Sequence, residues 1–255
     1  MSAAMDIALE VRGLNRSFGA LAVTSNVDLS LRAGARAALI GPNGAGKTTL
    51  INLVSGALRA SSGSIRLLGR DVTGLDQAQR ARLGLLRSFQ ITRLFKSMTV
   101  GDNVRLAILQ SSGRRLGMWR ATRSEPGLDE AVGTALRTVG LHDREGAGVT
   151  RLAYGEQRLL ELALALSTRP RVLLLDEPAA GVPQGESEII VQAVERLPAD
   201  LAVLLIEHDM DLVFRLAHEI TVLVAGSVLM HGTPREVEND ERVQRLYLGE
   251  KHVRH

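Results

Sequence analysis

Eight consecutive residues, Gly41-Pro42-Asn43-Gly44-Ala45-Gly46-Lys47-Thr48, satisfy the pattern G-x-x-x-x-G-K-[ST], which suits them to hold the phosphates of a nucleotide. Glycines at 41, 44 and 46 open backbone conformations closed to other residues, so successive N–H groups can turn inward toward phosphate oxygens. A helix opening at Lys47 adds the positive end of its dipole. In this reading Lys47 reaches the β- and γ-phosphates, the Thr48 hydroxyl meets Mg²⁺, and Asn43 and Thr49 complete the phosphate-binding set. The chain has three lysines, at 47, 96 and 251, and its composition gives about 0.003 chance matches to the pattern, so a bland glycine-rich turn is the weaker reading.

A second group of candidate residues follows two apolar runs. Residues 172–175 lead into Asp176 and Glu177, and residues 201–206 lead into Glu207, His208 and Asp209. Each run reads as a buried parallel strand that delivers polar residues to its C-terminal end, where ligands sit in open α/β sheets. Asp176 is placed to hold Mg²⁺ in its outer shell and Glu177 to orient and polarise an attacking water. His208 can hydrogen-bond a γ-phosphate or that water, although a histidine at a strand end also serves as a plain structural residue.

The elements that must position these groups are legible in outline. Residues 37–40 read as the buried strand before the loop and residues 49–54 as the helix after it. Residues 7–11 and 27–31 alternate apolar and polar like half-exposed antiparallel strands, with a turn region between them that contains Phe18. With aromatics at 3% of the chain, Phe18 is a candidate stacking platform for a base; packing against the sheet is the alternative. Residues 61–63 read as a turn, 64–68 and 85–90 as strands, 220–224 with 227–230 as a hairpin, and 233–248 as one closing helix. The periodicity from 92 to 150 is helical, interrupted at 111–127 by a basic, breaker-rich loop suited to solvent, to a partner or to lipid headgroups. Residues 156–168 read as a buried helix stopped at Pro170. The D-x-x-G match at 71–74 stands without any guanine-recognition motif and is treated as chance.

Composition bounds the rest. A length of 255 residues with 45% hydrophobic content supports a large core. A net charge of +3 from 31 basic and 28 acidic residues gives no reason to expect nucleic acid. The absence of cysteine excludes disulfides and thiolate metal sites. No apolar run reaches the roughly 18 residues that span a bilayer, and the first nine residues lack a basic start, so a cytoplasmic protein is expected.

In this order the pieces resemble the nucleotide-binding subunit of ABC transporters across nearly the whole chain. The resemblance rests on an aromatic loop at Phe18, the phosphate loop, Gln90 in the Q-loop position, Leu152-Ala153-Tyr154-Gly155-Glu156-Gln157 as signature, Asp176-Glu177, and His208 as switch histidine. It implies an α/β P-loop NTPase core with a mainly parallel sheet, an antiparallel β subdomain, and a helical subdomain inserted at 91–150 between core segments 1–90 and 151–255. It also implies that ATP and Mg²⁺ bind, with Thr48, Gln90 and Asp176 on the metal. Glu177, His208, Gln90 and Lys47 would be catalytic. Two cassettes would form a head-to-tail dimer, in which each ATP meets Tyr154, Gly155, Glu156 and Gln157 of the opposite subunit.

Segments 87–95, 152–158, 176–181, 205–210 and 246–250 are similar to the ATPase subunits of branched-chain amino-acid importers. That subgroup implies an identical or related second ATPase, two permeases, a solute-binding protein acting indirectly, and a peripheral position on the cytoplasmic face of the membrane. A related solute such as urea or an amide, a soluble ABC ATPase acting on nucleic acid or ribosomes, and a nucleotide binder without turnover are the competing expectations. Two departures stand out. Ala153-Tyr154 replaces the usual Ser-Gly of the signature, and the acidic or amide residue expected after Gly181-Val182 is missing.

Overall fold

Alternation of apolar and polar residues builds the first sheet. The structure, a computed structural model, describes residues 7–88, 94–111 and 127–251. Strands β1 (Ile7–Phe18) and β2 (Leu21–Arg32) pair antiparallel, and their inward residues Leu9, Val11, Leu14, Val27, Leu29 and Leu31 are buried. Both strands run through the segment expected to be a turn. Register shifts between Val11 and Leu14 and again near Arg16 break the period of two, and Gly13, at φ +52°, lies in the first of them. The pleat therefore loses its sequence signature while the pairing continues.

After β3 (Arg36–Ile40) and α1 (Lys47–Ser55), β4 (Ser62–Leu67) and β5 (Arg70–Asp71) complete this sheet in the order β2-β1-β4-β5. The expected turn at 61–63 is largely strand. Gly63 lies so close to β1 that a Cβ there would fall 2.4 Å from the Gly13 carbonyl oxygen.

Next come α2 (Gln77–Arg82), β6 (Leu85–Ser88), α3 (Val100–Ser111), α4 (Leu128–Val139), α5 (Tyr154–Ser167), β7 (Val172–Asp176), α6 (Gln184–Glu195), β8 (Ala202–Ile206), α7 (Met210–Leu216), β9 (Glu219–Val224), β10 (Ser227–Gly232), α8 (Pro234–Asn239) and α9 (Glu241–Lys251). Six strands form a second sheet in the order β10-β9-β3-β8-β7-β6. Strands β9, β3, β8 and β7 are parallel, and β10 folds back antiparallel. Leu39 pairs with Ile206 and Ile206 with Asp176, so β3, β8 and β7 end level with one another. Their side chains are buried up to that edge, which accounts for the unbroken apolar runs in the sequence.

The chain divides into two compact units. The described residues of the first fall within 7–86, 171–177 and 199–251; those of the second fall within 87–170 and 178–198. In the second unit, α3, α4, α5 and α6 bury Val100, Val104, Val132, Leu136, Leu160, Leu162, Ile190 and Val194. Gln90 and the basic stretch 112–126 lie outside the described residues.

The closing segment is two helices rather than one. Asp240 is extended at φ −76°, ψ 118°, and its carboxylate accepts from the N–H groups of Arg242 (2.8 Å) and Val243 (3.3 Å), which starts α9 afresh. The Arg242 guanidinium, first among the causes, holds the Asp240 carboxyl at about 2 against its ordinary 3.8. Because this pKa is depressed, the cap's contribution is present above pH 3.8 and is lost as pH falls through about 2. Far-UV circular dichroism in that window should show a helical loss in the wild type that Asp240→Asn, which has no carboxylate to protonate, lacks.

Arg80 anchors the far end of α1. Only 1% exposed, it donates from Nη1 to the Leu53 and Val54 carbonyls (both 2.7 Å), from Nη2 to Thr73 (2.9 Å) and from Nε to Leu75 (3.0 Å). Burial lowers its pKa, and the helix's negative end together with Asp71 favours the charge. Arg80→Met leaves buried carbonyls unpaired and should cost about 3 kcal/mol in urea unfolding, with Arg80→Lys intermediate.

Candidate functional site

The phosphate loop leaves β3 at its level edge. Gly41 takes φ +153°, and a Cβ there would sit 2.1 Å from the Leu223 carbonyl oxygen of β9. Gly46, at φ +99°, caps α1 and faces the Val23 carbonyl of β2, which would lie 2.7 Å from an added Cβ. Gly44, also at positive φ, has open space around it, so its role is backbone freedom alone. The β9–β10 turn holds the loop from below. Ala225 and Gly226, both at positive φ, form a tight hairpin turn; the Gly226 N–H donates to the Ala45 carbonyl (2.9 Å), and the Gly226 carbonyl accepts from the Ser25 N–H (2.8 Å). Lys47 is half-buried and donates from Nζ to the carbonyls of Gly41 (2.5 Å) and Pro42 (3.0 Å). Asn43 and Thr48 are exposed and Thr49 is half-buried.

Carboxylates converge on the same edge. Asp176 ends β7 half-buried, and Glu177, one residue on, adopts φ +46° immediately before Pro178. A non-glycine residue pays strain in that region, and a following proline adds to it. The Glu177 N–H donates to the Ile206 carbonyl of β8 (2.9 Å), which holds the turn and sends the side chain outward, 48% exposed. His208 Nδ1 lies 3.8 Å from Glu177 Oε1 and 3.8 Å from Glu207 Oε2. Glu207 is only 2% exposed and accepts from the His208 N–H (3.1 Å). Asp209 caps α7 by accepting from Asp211 and Leu212. The His208 backbone is thus tied to a buried carboxylate and leads into a helix start, while the imidazole itself is 68% exposed beside Glu177.

Phe18, expected in a turn, closes β1 opposite Leu21 and is 47% exposed. It belongs to the first unit, as do the phosphate loop, Asp176, Glu177 and His208.

The signature segment belongs to the second unit. Ala153 precedes α5, and Glu156 turns back so that Oε2 accepts from the Ala153 N–H (2.9 Å) while Oε1 accepts from Arg144 (3.0 Å). Gln157 donates to the Leu152 carbonyl (3.1 Å). Tyr154 is exposed, and its hydroxyl accepts from Arg158 (3.0 Å). The Gly155 N–H, expected to be on offer to a phosphate, donates instead to the Glu186 carboxylate on the first turn of α6 (2.7 Å). Glu186 lies 31 residues away, and no motif could have announced the contact.

These residues fit a nucleotide with magnesium. A positively charged loop with close-approach glycines faces carboxylates across one sheet edge, and Thr48 and Asp176 carry oxygen groups of the kind magnesium takes directly or through water. Among the described residues there is no cluster of three or more His, Cys, Asp or Glu side chains that could hold a metal ion.

The chain belongs to the ABC transporter family, whose profile matches residues 24–180, and it carries that family's ATP-binding ATPase domain. A second profile, the branched-chain amino acid ATP-binding cassette transporter, matches residues 227–253. The chain is 40% identical to the high-affinity branched-chain amino acid transport ATP-binding protein LivG of Salmonella typhimurium over 252 residues, covering 95% of this chain and 98% of that one. It is 39% identical to BraF of Pseudomonas aeruginosa over 249 residues, with the same two coverages. Among solved structures, the ADP conformation of MJ1267, an ATP-binding cassette of an ABC transporter, superposes with a TM-score of 0.81 at 27% identity, covering 95% of this chain and 99% of that one.

Gly41→Ala drives a methyl into the Leu223 carbonyl, a backbone atom that cannot move aside. The variant should lose the rise in melting temperature that MgATP gives the wild type; an undiminished rise at equal ligand concentration contradicts the geometry.

Proposed function

We propose that the chain is the ATP-hydrolysing subunit of an importer for branched-chain amino acids or closely related solutes. The observation that carries the ATPase part is the common edge at which β3, β7 and β8 present Lys47, Asp176 with Glu177, and His208. The transport part is supported by relatives named for branched-chain amino acid transport and by the match at 227–253.

In this mechanism the backbone N–H groups of Asn43, Gly44 and residues 46–48 at the start of α1 receive the β- and γ-phosphates of ATP, and Lys47 exchanges its two carbonyl partners for phosphate oxygens. Phe18 stacks on the base. Thr48 and, in the outer shell, Asp176 would hold magnesium, which would supply positive charge to offset that of the phosphates. Glu177 accepts a hydrogen bond from the lytic water and aligns it in line with the γ-phosphorus; His208 holds the γ-phosphate oxygens. As the water oxygen bonds to phosphorus and passes a proton to the Glu177 carboxylate, the bond to the β–γ bridging oxygen breaks, and ADP leaves with its electron pair. The positive φ of Glu177, held by its N–H bond to the Ile206 carbonyl, sets where the side chain leaves the backbone before substrate arrives.

Among the described residues no helix is long and apolar enough to cross a membrane. By analogy with the relatives named for transport, passage of solute falls to partner permeases, and the chain acts at the cytoplasmic face of the membrane. A second cassette, identical or related, completes each site with its signature segment, in which Gly155 and Gln157 open α5. On this reading the Glu186 carboxylate yields the Gly155 N–H to the opposing nucleotide.

Glu177→Gln should reduce ATP turnover by at least about 100-fold while leaving MgATP affinity intact, and size-exclusion chromatography with MgATP should then show an accumulated dimer. Turnover equal to that of the wild type would sink the catalytic assignment, and failure to co-purify with hydrophobic permeases from membranes would sink the transport one.

A further inference from the structure

Arg16 and Phe18 sit two residues apart on β1, and successive side chains of that parity share a face of a strand. The Arg16 guanidinium carbon lies 4.6 Å from the centroid of the Phe18 ring, over its face. Its Nη1 donates to the Arg59 carbonyl (3.1 Å) in the segment after α1, and its Nε is buried without a hydrogen-bond partner. The segment is tied down in turn, since the Ser61 N–H donates to the Asn15 carbonyl (2.8 Å). One face of the ring is therefore covered by a fixed cation. Phe18 as a whole remains 47% exposed.

We propose that Arg16 is a positioning residue for nucleotide recognition: it backs the Phe18 ring, holds it in one orientation, and leaves a single face for the base. This rests on the reading of Phe18 as the base platform. The hairpin that carries the pair is joined to the phosphate loop, because the Val23 carbonyl of β2 packs against Gly46 and the Ser25 N–H reaches the Gly226 carbonyl. A ring already ordered by the guanidinium loses less freedom on binding. The cation also draws ring electron density toward itself, and the depleted opposite face stacks better on an electron-rich purine. Neither effect involves the phosphates, so Arg16 should act on the base alone. An exposed cation–π contact is in the range that changes affinity by about two- to fivefold.

The test compares MgATP with inorganic tripolyphosphate and magnesium by calorimetry on the full chain. Arg16→Gln should weaken ATP by about two- to fivefold and leave tripolyphosphate unchanged, and Arg16→Lys, which restores a cation over the ring, should recover most of the loss. Retained tripolyphosphate binding also shows that the phosphate loop is folded. Equal weakening of both ligands overturns the proposal in favour of a general electrostatic effect, and a lysine variant no better than glutamine overturns the cationic backing. Phe18→Ala separates the two levels. If it lowers ATP affinity relative to tripolyphosphate while Arg16→Gln does nothing, the platform stands and the role of Arg16 falls. If it changes neither ligand, the platform reading fails and takes this inference with it.

Discussion

Parallel hydrogen bonding between β3, β8 and β7, in a register that stops all three strands at one level, is the constraint on which the first unit depends. The phosphate loop, the Asp176–Glu177 pair and the Glu207–His208 pair are far apart in sequence and share no local motif. They meet because each is the first polar segment after an apolar strand of similar length. Shifting one strand by a residue would turn its side chains to the opposite face and move its polar end out of line. The burial of nearly every side chain in these strands makes such a slip costly.

Around that edge, local geometry is held by partners from outside each loop. Gly41 is pressed against a β9 carbonyl, Glu177 is bent by a bond to β8, and His208 is set between a buried carboxylate and a helix cap. Arg80 performs the matching task at the distal end of α1, where four backbone carbonyls surround one guanidinium. A nine-residue helix whose amino end forms part of the phosphate loop is thus fixed at both termini.

The phosphate loop, the carboxylate pair and the buried strands were legible because each is a contiguous run with a mechanical reason for its residue types. What the sequence hid was of two kinds. The bulged reach of β1 from Arg12 to Phe18 lost its alternation, and with it the fact that Arg16 and Phe18 share a strand face. The helix break at Asp240 was concealed in a polar stretch whose capping is visible only once the carboxylate is seen on two N–H groups. Contacts between residues distant in sequence, such as Glu186 on Gly155 and Arg80 on Leu53, leave no periodic trace.

The tight turn at Ala225-Gly226 is stitched on one side to Ala45 and on the other to Ser25. A tug on the tip of the β1–β2 hairpin would therefore reach, along β2 and through the single residue Gly226, the loop backbone at Ala45. The two extremities of a nucleotide lying there would feel the same small rivet, and loosening it should disturb both grips at once.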